Sequence, residues 1–255
     1  MSRIAERWVH VAQAQTRYVN LLNQPRRSSI PNVVVEKPPL LEAIGEVVSS
    51  SPIKWRHLAQ EPDLVEKWKR KKLKTDFLAG YLLELHLAKL LASVMQEVPT
   101  VTENPIEDRE QVQNYTFRRS GNSPHGTLVE VASKEGTPLS YAEYDNITVI
   151  QTPDVESLPV VWETKINIFD RYKQRLVPEV HKMVFREVQG YWLHPLIQHF
   201  DTTTFGLVLV TMSDVEPSNF QYLSDFQSQG GLIVSIPYKL QEYLQGLEKT
   251  GLIEE

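Results

Sequence analysis

The chain has 255 residues, 41% of them hydrophobic and 23% charged, the balance of a globular protein with one large domain and room for an appendage. It holds no cysteine, which excludes a disulfide framework and any thiolate metal site. The net charge of -5 argues against indiscriminate, histone-like binding of nucleic acid but leaves room for a local basic channel.

The opening MSRIAERWVH is charged from its third residue and never reaches an apolar signal-type region. The apolar run FGLVLVTM is too short to cross a bilayer. A soluble, cytoplasmic protein with no membrane partner is therefore expected. Ile4, Trp8, Val11, Tyr18 and Leu22 fall at helical spacing between Ser2 and Asn23. A proline-rich connection follows, then a short helix around Leu40–Val48 and another from Pro52. Residues 1–62 read as a helical N-terminal appendage to a core over 63–255.

The segment Glu66–Lys74, EKWKRKKLK, is strongly basic and leads into an almost wholly apolar helix, TDFLAGYLLELHLAKLLASVMQ. A helix that is apolar all round is buried. Glu84 is thus a carboxylate whose burial needs a reason. After Pro105 the period changes to two. NYTFRRS and TLVEVASKE read as strands joined through the turn SGNSPHG, and YAEYDNITVIQ as a third. VVWETKINI is a fourth, followed by a helix from Asp170 that Pro178 should bend. The apolar strand FGLVLVTM, a polar helix near Glu216–Gln227, the strand GLIVSI and a terminal helix after Pro237 complete the order. The fold class is α/β, with a mixed central sheet flanked by helices.

Glu163 and Lys165 are two apart on a strand and share a face with Val161; Trp162 and Thr164 point the other way. Glu143 and Asp145 share a face of the preceding strand, where antiparallel pairing sets Asp145 beside Glu163. Clustered carboxylates repel one another unless a cation joins them. One lysine does not offset three anions, whereas a lysine and a divalent cation do. Hard cations such as Mg²⁺ take one or two carboxylates and complete their shell with water and phosphate. That chemistry suits phosphodiester hydrolysis.

These residues resemble the PD-(D/E)XK nuclease superfamily, the restriction-endonuclease-like fold. Asp145, in AEYD, matches its first acid; Glu163 and Lys165, in ETK, match its acid-x-lysine triplet; Glu84 matches the glutamate that many members carry on the preceding helix. Tyr144 stands where a proline often precedes the first acid. The glutamine–tyrosine pair of the exonuclease branches is missing, because Gln189 and Tyr191 have the wrong spacing. The resemblance implies an αβββαβ core and a metal-dependent nuclease acting on DNA rather than RNA. It implies Mg²⁺ or Mn²⁺ as cofactor, Asp145, Glu163 and Glu84 as metal ligands, and Lys165 as the catalytic lysine. Lys69, Arg70, Lys71, Lys72, Arg118 and Arg119 are candidate nucleic-acid contacts, and a homo-oligomer is left open. The competing expectation is an inactive nucleic-acid-binding or assembly module of the same fold. Plainer roles also exist: a cross-strand ion pair for Glu163 and Lys165, a capping role for Asp145, a buried pair of Glu84 with Arg118, Arg119 or Lys165, and a solvated face for the basic run.

Overall fold

The computed structural model describes residues 31–53, 75–121, 123–132, 135–151, 157–170, 175–212 and 221–236. The helix expected over 2–23, the basic run, the terminal helix after Pro237 and, beyond Ile53, the helix expected from Pro52 lie outside these residues. Among them the protein is mixed α/β, with six helices, a six-stranded mixed sheet, a four-stranded antiparallel sheet and a two-stranded ribbon.

The mixed sheet is built around β8 (Leu158–Lys165), which pairs antiparallel with β7 (Asn146–Ile150) and parallel with β11 (Thr204–Thr211). β2 (Val101–Thr102) lies outside β7, while β1 (Val34–Val35) and β12 (Leu232–Ser235) both run parallel to β11. β8 is buried along its length up to Lys165 because apolar layers cover both faces. On one face Val160, Trp162, Val208 and Val210 pack with α1 (Pro39–Ser50) and α2 (Thr75–Glu97). On the other, Ile147, Val161, Leu207 and Leu209 meet α3 (Pro178–Val184), α4 (Arg186–Trp192), α5 (His194–Phe200) and α6 (Gln221–Ser228). The alternation expected for Val161 and Trp162 therefore holds. Residues 77–97 of α2 are long and apolar enough to cross a membrane by length and composition alone. Packing against β8 and α1 accounts for that apolarity.

Three expectations change. The strand YAEYDNITVIQ is broken at Asp145. Its first half, β6 (Pro138–Tyr144), joins β3 (Gln111–Val112), β4 (Tyr115–Arg119) and β5 (Thr127–Ala132) in the antiparallel sheet, and its second half is β7. Tyr144 and Asp145 are both buried, which a straight strand with one solvated face would not allow. The bend lets one chain serve two sheets.

The helix expected from Asp170 begins instead at Pro178, after a ribbon of β9 (Phe169–Asp170) and β10 (Arg175–Leu176). Proline is placed in the first turn of α3, where its missing N–H costs nothing, rather than inside a longer helix. The described part of the expected appendage, 31–53, is woven into the main body. β1 extends the sheet, and Leu41, Ile44 and Val48 of α1 are fully or almost fully buried in the core.

The β1 contact fixes one glycine. Gly230 has φ +102°, and a Cβ there would lie 2.5 Å from Val35 O. Gly230→Ala is expected to destabilise the fold by roughly 1–3 kcal/mol through backbone strain and displacement of β1. A thermal midpoint unchanged from the wild type would show that the edge relaxes freely.

Candidate active site

Asn146 pairs with Trp162 across β7 and β8, so the register carries Asp145 opposite Glu163. Asp145 Oδ2 accepts the Thr164 N–H at 2.6 Å and the Thr164 hydroxyl at 2.8 Å. Those two bonds fix the carboxylate at the bend, a capping role that leaves its other oxygen out of the contact. Glu163 is 2% exposed, and its Oε1 lies 2.6 Å from Lys165 Nζ. The same Nζ is 3.8 Å from Asp145 Oδ2. Lys165 ends β8, and a quarter of its side chain meets solvent. Two carboxylates and one ammonium thus converge where a buried strand reaches the surface.

Glu84 arrives from α2. Gly80, one turn earlier, lies against Ile166 just past the end of β8, which brings the same helical face to the strand end. Glu84 is partly buried, and its Oε2 has no hydrogen-bond partner among the described residues. Burial pushes its carboxyl up to about 8, with Asp145 and, more weakly, Glu143 adding to the rise; the Ser123 hydroxyl and Lys165 offset part of it. Ser123 Oγ nonetheless reaches no well-formed hydrogen bond among the described residues. Glu163 is likewise raised to about 8, first by burial and then by Asp145, with Lys165 pulling the other way. Burial alone would lower Lys165, but Glu163 and Asp145 together outweigh it and hold the ammonium well above its ordinary range. The cluster is therefore too negative for its burial: two of its carboxyls keep protons near neutral pH, and the lysine stays charged.

The sequence expectation for Asp145, Glu163 and Lys165 is met as geometry, since all three meet in one place. Glu84 lies within their field and is not paired with an arginine among the described residues. Arg118 points into solvent and pairs with Glu130 at 3.0 Å, and Arg119 is exposed at the end of β4. Lys69, Arg70, Lys71 and Lys72 fall outside the described residues. Among the described residues the histidines do not gather: His86 Nε2 faces Ser51 O, His194 Nδ1 faces the Tyr115 hydroxyl, and His199 pairs with Glu110. Tyr144, next to Asp145 at the end of β6, is fully buried and donates its hydroxyl to Trp192 O at 2.5 Å. It ties the bend to the end of α4.

Three contributors escape the sequence pattern. Strict alternation puts Thr164 on the opposite face, yet it holds Asp145. Glu179, in the first turn of α3, adds negative charge felt by both Glu163 and Lys165. Ser123 belongs to a turn whose only visible signal is its hairpin composition.

Among the described residues, no three carboxylate or histidine side chains stand close enough together to hold an ion. The donor set still fits Mg²⁺ or Mn²⁺, which need only one or two carboxylates when water and phosphate supply the rest. Glu84 Oε2, buried without a hydrogen-bond partner among the described residues and within the field of the Asp145 charge, is the kind of defect a cation would relieve.

No family model, curated protein or solved structure matches the chain. The chemistry of these residues therefore carries the functional reading.

Proposed function

We propose that the protein is a divalent-metal-dependent nuclease with a restriction-endonuclease-like αβββαβ core, acting on DNA rather than RNA. The observation that carries this reading is the position of Lys165 Nζ, between Asp145 and Glu163 at the solvent-facing end of an otherwise buried strand. The order α2, antiparallel strands, β8, α3–α5 and β11 supports the fold assignment. The parallel β8–β11 pair linked through helices supports it further.

In this reading Asp145 and Glu163 hold the cation, with Thr164 fixing the angle of the Asp145 carboxylate. Glu84 supplies a further oxygen or orients water. Mg²⁺ or Mn²⁺ would neutralise a phosphate oxygen and lower the pKa of an attacking water. Lys165 keeps its charge because of its two carboxylate neighbours, so its ammonium remains a donor to phosphoryl oxygen as negative charge develops. β8 gives these groups a rigid base. The test is incubation of the pure protein with plasmid, linear and single-stranded DNA and with RNA, in Mg²⁺, in Mn²⁺ and in excess chelator. Metal-dependent strand loss on a DNA substrate is expected. Intact substrates under every condition would remove the enzymatic reading.

One observation favours an inactive nucleic-acid-binding or assembly module. Glu163 and Lys165 already pair closely, and no three metal-ligating side chains are drawn together among the described residues. A module of that kind would bind DNA equally well with or without divalent metal.

The basic run Glu66–Lys74 leads directly into α2, the helix that carries Glu84. Neutralising Lys69, Arg70, Lys71 and Lys72 together should weaken DNA binding and flatten its salt dependence by roughly one log–log unit for each phosphate no longer neutralised. Metal affinity should hold, since salt screens charges beyond about 8–10 Å. An unchanged salt slope would take this segment off the binding surface.

A further inference from the structure

Three tyrosines of the antiparallel sheet send their hydroxyls to one short stretch of chain, 191–194, where α4 ends and α5 begins. The Tyr115 hydroxyl of β4 lies 2.9 Å from His194 Nδ1. From β6, Tyr141 donates to Tyr191 O and Tyr144 donates to Trp192 O at 2.5 Å. The rings pack as well, Tyr115 on Tyr141 with centroids 5.1 Å apart and Tyr144 on Trp192 at 5.3 Å. The end of a helix leaves carbonyls without intrahelical donors, and tyrosine hydroxyls can supply them. The three contacts differ in what lies next to them. The β5–β6 ladder ends at the pair Thr127–Tyr144, and the β7–β8 ladder begins at Asn146–Trp162. Asp145 therefore stands between the two sheets and belongs to neither ladder. Its side chain is held by Thr164, and its main chain by the residue on either side. On the β6 side that residue is Tyr144, fully buried and anchored to α4. Tyr141 instead lies inside β6, flanked by the ladder pairs Ser140–Glu130 and Ala142–Val129.

We infer that Tyr144 is a positioning residue: its bond to Trp192 O fixes the main chain entering Asp145, and with it the place the Asp145 carboxylate takes beside Glu163 and Lys165. The inference rests on the metal-site reading above. Thr164 ties the carboxylate to β8 through a rotatable side chain, whereas the Tyr144 anchor holds the backbone from which that side chain springs. A ligand constellation tolerates displacements of only about 0.5 Å, so a freed bend loses metal before it loses the fold. Tyr115 and Tyr141 dock the same sheet on the same helices from further along its strands.

The test is calorimetric titration of Mn²⁺ into the full chain as wild type, Tyr144→Phe, Tyr141→Phe and Tyr144→4-aminophenylalanine, the last of which keeps a donor to Trp192 O. Thermal unfolding of each without metal accompanies it. Each phenylalanine variant keeps its ring and loses one hydroxyl-to-carbonyl bond on the same helix end, so both should fold, with midpoints lowered alike. Tyr144→Phe should also weaken Mn²⁺ binding about 10–100-fold, the usual range for a group that orients a metal ligand. Tyr141→Phe should stay within about twofold of wild type, and the aminophenylalanine variant should recover most of the affinity. Four results would each overturn the positioning role and leave the metal site standing: affinity of Tyr144→Phe within about twofold of wild type, an equal loss in Tyr141→Phe, no recovery with aminophenylalanine, or a Tyr144→Phe protein that does not fold without metal. A wild type that binds no Mn²⁺ would overturn the site reading and this inference with it.

Discussion

Replacing Asp145 by asparagine is expected to lower metal-dependent cleavage by at least about 10³-fold, the loss of several kcal/mol of transition-state stabilisation. The amide oxygen can still accept from the Thr164 N–H and hydroxyl, so the bend between β6 and β7 should survive. The charge, however, is gone, and with it the carboxylate that acts on Glu84, Glu163 and Lys165 at once. The metal-free variant should melt at the same temperature as the wild type or higher, because one source of repulsion on Glu84 and Glu163 has been removed. Loss of activity with retained stability separates a functional carboxylate from a structural cap. A variant that cuts DNA at the wild-type rate would show that Asp145 is no ligand.

The second large effect is on stability against pH. Glu163 and Glu84 both have folded-state values near 8, well above those of an unfolded chain. A carboxyl raised in this way contributes its stability fully below the unfolded value of about 4.5, and loses it as pH rises toward and through 8. Over that window the unfolded chain gives up protons that the folded chain must keep. For a fully buried carboxyl such as Glu163 the loss approaches roughly 3–5 kcal/mol at the upper end; Glu84, only partly buried, contributes less. Lys165 is raised too, but its contribution stays complete below its ordinary value near 10.5 and does not alter the trend. Metal-free protein should therefore unfold more easily in denaturant at about pH 8.5 than at about pH 5.5. Glu163→Gln should flatten most of the difference, and Mn²⁺ should restore stability at the alkaline end. A flat profile in the metal-free wild type would mean that the cluster is better solvated than its burial implies.

Much of this site is legible in the sequence because period-two patterning is a strong constraint. A glutamate and a lysine two apart in an apolar strand share a face, and Glu163 and Lys165 do. The apolar helix likewise singles out Glu84, since a carboxylate in such a helix needs a partner or a purpose. What escapes depends on backbone geometry that one-dimensional patterns do not carry. The break at Asp145 is hidden because the residues on both sides of it favour strands. Strict alternation sets Thr164 on the opposite face, yet a carboxylate at a bend can reach around to a backbone N–H and its hydroxyl. Pro178 begins a helix rather than kinking one, in keeping with proline being better tolerated in the first turn than in the interior. The integration of residues 31–53 has no signal in their proline-rich flank, because a two-residue strand such as β1 leaves no periodic trace.

Buried charges stand at the end of β8, on this reading, because a divalent cation completes them. The most direct measurement is Mn²⁺ titration at about pH 7 in two buffers of different ionisation enthalpy, with wild type and Asp145→Asn side by side. Wild type should bind, and the heat should depend on the buffer, reporting release of roughly one to two protons as Glu84 and Glu163 ionise on binding. Asp145→Asn should bind weakly or not at all. Equal binding by both proteins, or binding with no proton release, would contradict the metal-site reading.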